Sequence, residues 1–156
     1  MELHTRLATF PAYSWRADPT VPKFSDDRPF AIFDGVCVLC SSSMRFVAAR
    51  DKGQLRFIAG QSTLGRALYR HFGLDADDFE TVLLIKNGTV QAKLASFVGL
   101  ARMMGGMWHA AVLLDLLPTA IADRLYDALA HRRYRLFGKY DTCIVPDATW
   151  RDRVIE

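Results

Sequence analysis

The sequence has 156 residues, a length that fits one domain able to bury a sizeable hydrophobic core. With 51% hydrophobic and 24% charged residues it has the composition of an ordinary globular protein, which excludes wholesale disorder and a fibrous fold. The net charge of +3 is too small to indicate nucleic-acid binding by itself. Its three cysteines are an odd number, which fits a reducing compartment and a catalytic or metal-binding Cys-x-x-Cys better than a disulfide framework.

Residues 1–29 contain four of the six prolines and are predicted to form an irregular arm outside the repeating pattern. Glu2 and Pro11 interrupt this segment before an apolar stretch of about 7 to 15 residues, as in a secretory signal, can form. The most apolar later stretch, residues 107–122, contains Asp115 and Pro118 and falls short of the roughly 20 apolar residues of a membrane-spanning helix. We therefore expect a soluble, cytoplasmic protein.

From residue 30 onward, apolar runs typical of strands alternate with stretches in which apolar residues recur every three or four positions, as in helices. Asn87-Gly88 supplies the two positive-φ positions of a tight hairpin turn. The order β-α-β-α-β-β-α is that of a thioredoxin-like core, which we place at residues 30–106. The predicted elements are strands at 29–34 and 54–60, helices over 37–52 and 62–72, a hairpin at 81–94 and a helix at 97–104.

Residues 107–156 are predicted to form a helical extension and a tail that pack on the same domain. Apolar residues spaced by four indicate one helix from residue 107, and Pro118 suits the start of a second helix that runs to about residue 137. The tail beyond it shows no periodicity and is expected to be irregular. The predicted fold class is therefore α/β, a thioredoxin-like core with a C-terminal helical extension.

Cys37 and Cys40 stand where the first strand passes into the first helix of this core. A helix N-terminus offers unsatisfied backbone N–H groups and the positive end of the macrodipole, both of which favour a thiolate. In such positions the pKa of a cysteine falls from about 8.5 to roughly 3.5 to 7.5. Because Cys40 lies one turn later on the same face, we expect Cys37 to attack and Cys40 to resolve. Asp34 either exchanges a proton with Cys40 or simply caps the turn, and the sequence leaves both roles open.

Two other interpretations of the cysteine pair are a buried structural couple and half of a zinc site. Zinc requires four ligands, and the chain has neither a second Cys-x-x-Cys nor a His-x-x-x-His motif. Cys143 with His71, His109 or His131 could complete such a site, but their spacing does not indicate one. We favour redox chemistry, with no metal and no cofactor beyond a redox-active Cys37–Cys40 disulfide.

Four segments carry a resemblance to a known family: "FDGVCVLC" (33–40), "RFIAGQS" (56–62), "KNG" (86–88) and "RYRLFGKYDTC" (133–143). In them the chain resembles the DCC family of thiol-disulfide oxidoreductases, which are related to thioredoxin. The resemblance runs from Phe30 to about Arg151 and implies the fold and a redox activity. It equates Asp34, Cys37 and Cys40 with the family signature and Cys143 with its late cysteine. Cys143 is thus a candidate third thiol, although packing as a small buried hydrophobe is the interpretation we favour.

The chain departs from thioredoxin before the third strand. Glu80 and Thr81 stand where thioredoxins place a cis-proline that holds an extended substrate beside the disulfide, and we take both as substrate-binding candidates. The absence of that proline favours a small thiol such as glutathione, or one dedicated protein, over broad protein-disulfide reduction. Arg133 and Arg135 belong to a short basic run that could bind an anionic substrate, although a solvated helix end is the commoner case.

Two function classes therefore remain. The first is a cytoplasmic thiol-disulfide oxidoreductase acting on a protein disulfide or a small thiol, without nucleic acid. The second is a non-catalytic binding module for a partner or a membrane surface, in which the helical extension and the basic run make the contact. In the second class Cys37 and Cys40 are structural or bind zinc. The sequence does not predict an oligomeric state for either class.

Overall fold

A mixed sheet organises the chain in the computed structural model, which describes residues 3–79, 81–139 and 151–155. Within these ranges the sheet has five strands in the order β4-β3-β1-β2-β5. The central strand β1 runs parallel to β2 and antiparallel to β3, while β3 and β4 form a hairpin and β5 runs parallel to β2. The strands are β1 (Phe30–Phe33), β2 (Arg56–Ala59), β3 (Leu83–Lys86), β4 (Thr89–Ala92) and β5 (Val154–Ile155).

Helices follow the strands in the predicted order, so the sequence β-α-β-α-β-β-α is confirmed from β1 to α4 and the α/β fold class is consistent with a thioredoxin-like core. A 3-10 segment, Gly106–Leu116, separates α4 from the long last helix. In the described part of the chain the α-helices are α1 (Leu3–Ala8), α2 (Val38–Ala48), α3 (Thr63–His71), α4 (Lys93–Met104) and α5 (Thr119–Phe137).

The two faces of the sheet carry separate apolar clusters. Successive side chains of a strand point to opposite faces, so β1 sends Phe30 and Ile32 to one cluster and Ala31 and Phe33 to the other. The first cluster gathers residues of the N-terminal arm and α3, and the second gathers residues of α2 and α4. All four residues of β1 are buried, as expected of a central strand covered on both faces.

The prediction of an irregular arm over residues 1–29 is wrong for two of its segments. Leu3–Ala8 is the helix α1, and Ser14–Ala17 is a short 3-10 helix. Three apolar side chains of the arm are buried in the first cluster: Leu7, Trp15 and Val21. The prolines mark where these elements end, but the stretches between the prolines are long enough for a helical turn that buries an apolar residue.

The prediction of an irregular tail is also wrong at the end of the chain, where Val154–Ile155 forms β5 beside β2. Arg153 fixes this edge, because its guanidinium donates to the buried Asp51 carboxylate at 2.7 Å. A strand of two residues is too short to show an alternating pattern, and only pairing with a distant strand creates it.

The predicted second helix of the extension is α5, which begins directly after Pro118 and ends at Phe137. Residues 106–116 differ: they form a 3-10 helix that buries none of its residues. α5 contacts α2 and α4, and the residues it buries are Ala122, Ala130 and Arg133. Across the described ranges, no helix has both the length and the apolar character needed to cross a membrane.

Candidate active site

The Cys37 side chain caps the N-terminus of α2. After β1 the chain turns at Asp34, whose carbonyl accepts the Cys37 N–H at 3.3 Å. Cys37 keeps an extended backbone (φ −78°, ψ 121°), and its Sγ accepts the Cys40 N–H at 3.2 Å. A serine or aspartate oxygen usually makes this capping contact, so the sulfur occupies the place of an anion or a strong acceptor.

This arrangement separates the acidities of the two thiols. The hydrogen bond from the Cys40 thiol, with help from the Cys40 backbone N–H, lowers the pKa of Cys37 to about 7, although burial and the Asp34 carboxylate act against it. The same hydrogen bond, together with burial, strongly raises the pKa of Cys40. Both cysteines are free thiols here. Near neutral pH, Cys37 is therefore the residue that carries thiolate.

Asp34 is the buried centre of a polar network behind the cysteines. Its Oδ1 accepts the Val36 N–H at 3.1 Å, which caps the turn before Cys37, and the Gln61 side-chain amide at 2.7 Å. Its Oδ2 accepts Arg133 Nη2 at 3.3 Å and the Tyr134 hydroxyl. Four donors thus hold the carboxylate in place, as a buried charge requires. The turn-capping role of Asp34 is present in the structure, whereas its exchange of a proton with Cys40 stays a prediction.

Arg133 supplies the positive charge opposite Asp34. The residue is 5% exposed, and its guanidinium also donates to the carbonyls of Ala130 at 2.6 Å and Phe79 at 3.2 Å. Its Nε finds no acceptor among the described residues. The Arg133 charge lowers the pKa of both cysteines and so counteracts part of the effect of Asp34. α5 therefore contributes a fixed cation to a site built mainly by β1 and α2.

A small apolar cavity of about 40 Å³ adjoins Cys40. Thr81 and Arg133 lie on its wall, together with Tyr126, whose hydroxyl oxygen accepts the Val82 N–H at 3.2 Å. Burial raises the pKa of Tyr126 to about 12, so its hydroxyl is neutral at physiological pH. The other residues around the cavity are Leu39, Phe79, Val82, Phe97, Leu129 and Ala130.

The exposure of the two cysteines is opposite to what their roles suggest. Cys37 is 0% exposed, whereas Cys40 is partly exposed. The chain that leaves α5 covers Cys37: Gly138, at φ 91°, turns it back, its carbonyl accepts the Val38 N–H at 3.4 Å, and Lys139 forms an antiparallel bridge with Cys37. Residues 138–139 therefore lie directly beside the buried Cys37.

Comparison with known proteins shows which family the chain belongs to. The family model of the DCC1-like thiol-disulfide oxidoreductases matches residues 31–139, which include every side chain of the site. The chain belongs to this family. It is 33% identical to the uncharacterized protein YuxK of Bacillus subtilis over 125 residues, 80% of this chain and 91% of that protein. It is also 33% identical to the chloroplastic DCC family protein At1g52590 of Arabidopsis thaliana over 120 residues, 76% of this chain and 70% of that protein. No solved structure matches significantly.

The family membership confirms the resemblance found in the sequence, and the structure brings together Asp34, Cys37, Cys40, Thr81 and Arg133. Arg135 is exposed on α5, and no described contact joins it to either cysteine. Glu80 and Cys143 lie outside the described residues. Within the described ranges, no group of three or more His, Cys, Asp and Glu side chains is arranged to hold a metal ion.

Sequence reasoning missed three residues that shape this DCC1-like site: Gln61, Tyr134 and Tyr126. Gln61 holds both the Asp34 carboxylate and the Gly35 N–H, the latter at 2.9 Å. A signal was present, because Gln61 and Tyr134 lie inside the segments "RFIAGQS" and "RYRLFGKYDTC" that carry the family resemblance. Tyr126 had no such signal, since it reads as one more apolar position of a helix.

Proposed function

We propose that the protein catalyses thiol–disulfide exchange, with Cys37 as the attacking thiolate and Cys40 as the resolving thiol. The observation that carries the proposal is the capping contact of Cys37 Sγ with the Cys40 N–H at 3.2 Å, at the end of a helix. It goes with a pKa of about 7 for Cys37 and a raised pKa for Cys40. One thiol is thus ready to attack while its neighbour keeps its proton.

The exchange proceeds in two steps. The Cys37 thiolate attacks one sulfur of a substrate disulfide, forms a mixed disulfide and releases the other sulfur as a thiolate, which takes a proton from water. Cys40 then attacks the Cys37 sulfur, the Cys37–Cys40 disulfide forms, and the substrate leaves as a thiol that carries the Cys40 proton. Two electrons have passed to the substrate, and a dithiol protein or two molecules of a small thiol such as glutathione restore the enzyme.

Asp34 and Arg133 act as positioning residues in this scheme. The Asp34 carboxylate caps the turn that presents Cys37, while Arg133 neutralises it and keeps its charge from suppressing the thiolate. The uncharged pair Val38-Leu39 between the cysteines adds no further tuning. We therefore propose a potential nearer the about −270 mV of thioredoxin than the about −120 mV of DsbA.

The substrate is proposed to be a small thiol or disulfide or one dedicated protein, bound beside Thr81. Thr81 is held rigidly, because its Oγ1 accepts the Lys93 N–H at 2.7 Å and its carbonyl accepts the Tyr69 hydroxyl. It also lies on the wall of the cavity beside Cys40. The cover of residues 138–139 over Cys37 favours a partner that displaces this segment over indiscriminate reaction with exposed disulfides.

The first test is the rate of iodoacetamide alkylation of each cysteine as a function of pH, read by mass spectrometry. We expect the rate at Cys37 to rise with pH through a midpoint near 7, because only the thiolate reacts and the pKa of Cys37 is about 7. Cys40 should stay unreactive until well above that pH. Identical profiles at both cysteines, with midpoints near the ordinary pKa of a cysteine, would contradict the assignment.

Substrate trapping tests the order of attack. The Cys40→Ser variant should accumulate a mixed disulfide on Cys37 with an added disulfide, and Cys37→Ser should lose exchange. Ser42→Ala, an exposed position of the same helix, is the matched control and should exchange as the unmodified chain does. Full exchange by Cys37→Ser, together with no trapped species in Cys40→Ser, would remove the proposed roles.

A further inference from the structure

The extension leaves large apolar side chains exposed on both its 3-10 helix and α5. We call these side chains the apolar face and define it by Met107, Leu113 and Leu116 of the 3-10 helix and Ile121, Leu125, Leu129 and Leu136 of α5. Met107 is 80% exposed, Leu116 81% and Leu125 62%. Monomeric proteins rarely leave contiguous apolar patches of more than a few hundred Å² in water, and such patches mark interaction sites.

The spacing of these residues shows that each element presents one continuous ridge. A 3-10 helix has three residues per turn, so positions 107, 113 and 116 share one side of it. In α5, positions 121, 125 and 129 follow one another at intervals of four, and position 136 continues the same stripe. Over its 19 residues α5 extends for about 28 Å, and the stripe accompanies most of that length.

Three ion pairs hold α5 in an orientation that leaves the stripe exposed. Arg133 holds Asp34, Asp123 pairs with His4 at 2.9 Å, and Asp127 pairs with Lys93 at 3.0 Å. Both acids of α5 are thus paired with basic side chains of other elements. Rotation would break these contacts and leave the buried Asp34 charge without its cation.

The outward side of α5 is basic as well as apolar. Arg124, Arg132 and Arg135 are exposed on the helix, and Lys139 is exposed just beyond it. Arginine and lysine keep their charged ends in water while their aliphatic stems lie along apolar surface. A helix whose exposed side combines leucines with arginines matches the chemistry of helices that lie in the plane of a membrane containing anionic lipids.

We propose that the apolar face docks on an anionic lipid bilayer, with α5 in the plane of the membrane and its arginines at the level of the phosphates. The residues of the face favour lipid over a protein partner. Tryptophan and tyrosine are prominent among the side chains that carry the binding energy of protein interfaces, whereas the apolar face consists of leucine, isoleucine and methionine. Leu129 belongs both to the face and to the cavity beside Cys40, so docking would bring that cavity to the membrane surface.

Vesicle sedimentation tests the docking directly, using the full chain with vesicles of phosphatidylcholine alone or mixed with phosphatidylglycerol. We expect binding to the mixed vesicles that weakens as salt is added, and much weaker binding to phosphatidylcholine alone. Leu125→Glu should weaken binding to the mixed vesicles by about tenfold or more, since it removes an apolar side chain and adds a negative charge. Arg132→Gln should weaken it by about fivefold.

Thr89→Glu is the matched control, because it adds the same charge at an exposed position of β4, outside the apolar face, and should bind as the unmodified chain does. Circular dichroism reports that each variant is folded, and the alkylation rate of Cys37 does so for the variants that keep this cysteine. Cys37→Ser should bind vesicles normally, so the docking and the thiol chemistry can fail separately.

Three outcomes would overturn the proposal. The first is no sedimentation with phosphatidylglycerol vesicles at low salt. The second is unchanged binding of Leu125→Glu. The third is a dimer in sedimentation velocity that Leu125→Glu converts to monomer, because a second copy of the chain would then cover the apolar face.

Discussion

Two segments flank the thioredoxin-like core, and they relate to it in opposite ways. The N-terminal arm, residues 3–29, turns its largest side chain inward: Trp15 is 2% exposed and packs edge-on against Phe30 of the central strand at 5.7 Å between ring centres. The extension, residues 106–137, leaves most of its large apolar side chains in solvent. Of the two, the segment that lies outside the family match is the one that completes the core.

The contacts of the two segments explain this difference. The arm is tied to α3 by a chain of polar contacts, in which His71 joins Ser14 at 2.8 Å and Asp18 at 2.7 Å. The extension contributes Arg133 and Tyr134 to the cysteine site, where both donate to Asp34. We therefore expect the arm to contribute more to stability than the extension does, whereas Arg133 and Tyr134 of the extension shape the electrostatics of the cysteine site.

The largest expected effect is a loss of stability when a side chain is removed from the arm, compared with a removal from the extension. Trp15→Ala should lower the free energy of unfolding by about 3 to 5 kcal/mol, because it empties a buried aromatic site and leaves Asp26 without the indole N–H donor. Leu125→Ala, at an exposed position of the extension, should change it by less than about 0.5 kcal/mol. Urea denaturation followed by circular dichroism measures both. Comparable losses in the two variants would mean that the extension supports the core as much as the arm does.

A smaller effect is expected from Tyr134→Phe, which tests how α5 of the extension influences the pKa of Cys37 through Asp34. Tyr134→Phe removes a hydroxyl that donates to the buried Asp34 carboxylate and should cost about 1.5 to 3 kcal/mol of stability. Because the carboxylate then repels a thiolate more strongly, the alkylation midpoint of Cys37 should move above its value near pH 7. The measurement is the pH profile of Cys37 alkylation, with urea denaturation on the same samples.

Tyr126→Phe is the matched control for this change. It removes a buried hydroxyl from the same helix, one that accepts the Val82 N–H and does not contact Asp34. It should therefore reduce stability without moving the alkylation midpoint of Cys37. Equal shifts of the midpoint in both variants would show that α5 acts on Cys37 through packing and not through Asp34.

Local patterns were sufficient to predict the core and the position of the cysteines. The alternation of strand and helix periods carries the element order, and the turn at Asp34-Gly35 followed by helical spacing places Cys37 at a helix end. The arm could not be predicted in the same way, because Trp15 is buried by contact with Phe30 and Phe72, which belong to distant elements.

The polar surroundings of the cysteines could be predicted only in part, since they depend on contacts between residues far apart in the chain. Arg133 and Tyr134 stand about a hundred positions after Asp34, and only the fold brings them together. The cover over Cys37 by residues 138–139 has the same origin. The family resemblance pointed to these segments without showing what their side chains contact.

The smallest effect concerns the polar tie between the arm and α3. Hydrogen bonds from Thr20, and then from His71, lower the pKa of Asp18 to about 2 from its ordinary value of 3.8. Because the pKa is lower in the folded state, this carboxylate stabilises the fold above about pH 4, and the contribution is lost as pH falls toward about 2. Asp18→Asn cannot titrate there, so its stability deficit relative to the unmodified chain should shrink between about pH 5 and pH 2.

Ser14→Ala keeps the Asp18 carboxylate and removes the hydrogen bond between Ser14 and His71, so it should retain the acid sensitivity of the unmodified chain. Urea midpoints of the three proteins at the two pH values measure the difference. A deficit of Asp18→Asn that stays constant with pH would mean that the carboxylate holds the arm through its shape and hydrogen-bond acceptors alone. The arm would then be fixed to the core by its aromatic packing, with the charge of Asp18 adding nothing to that attachment.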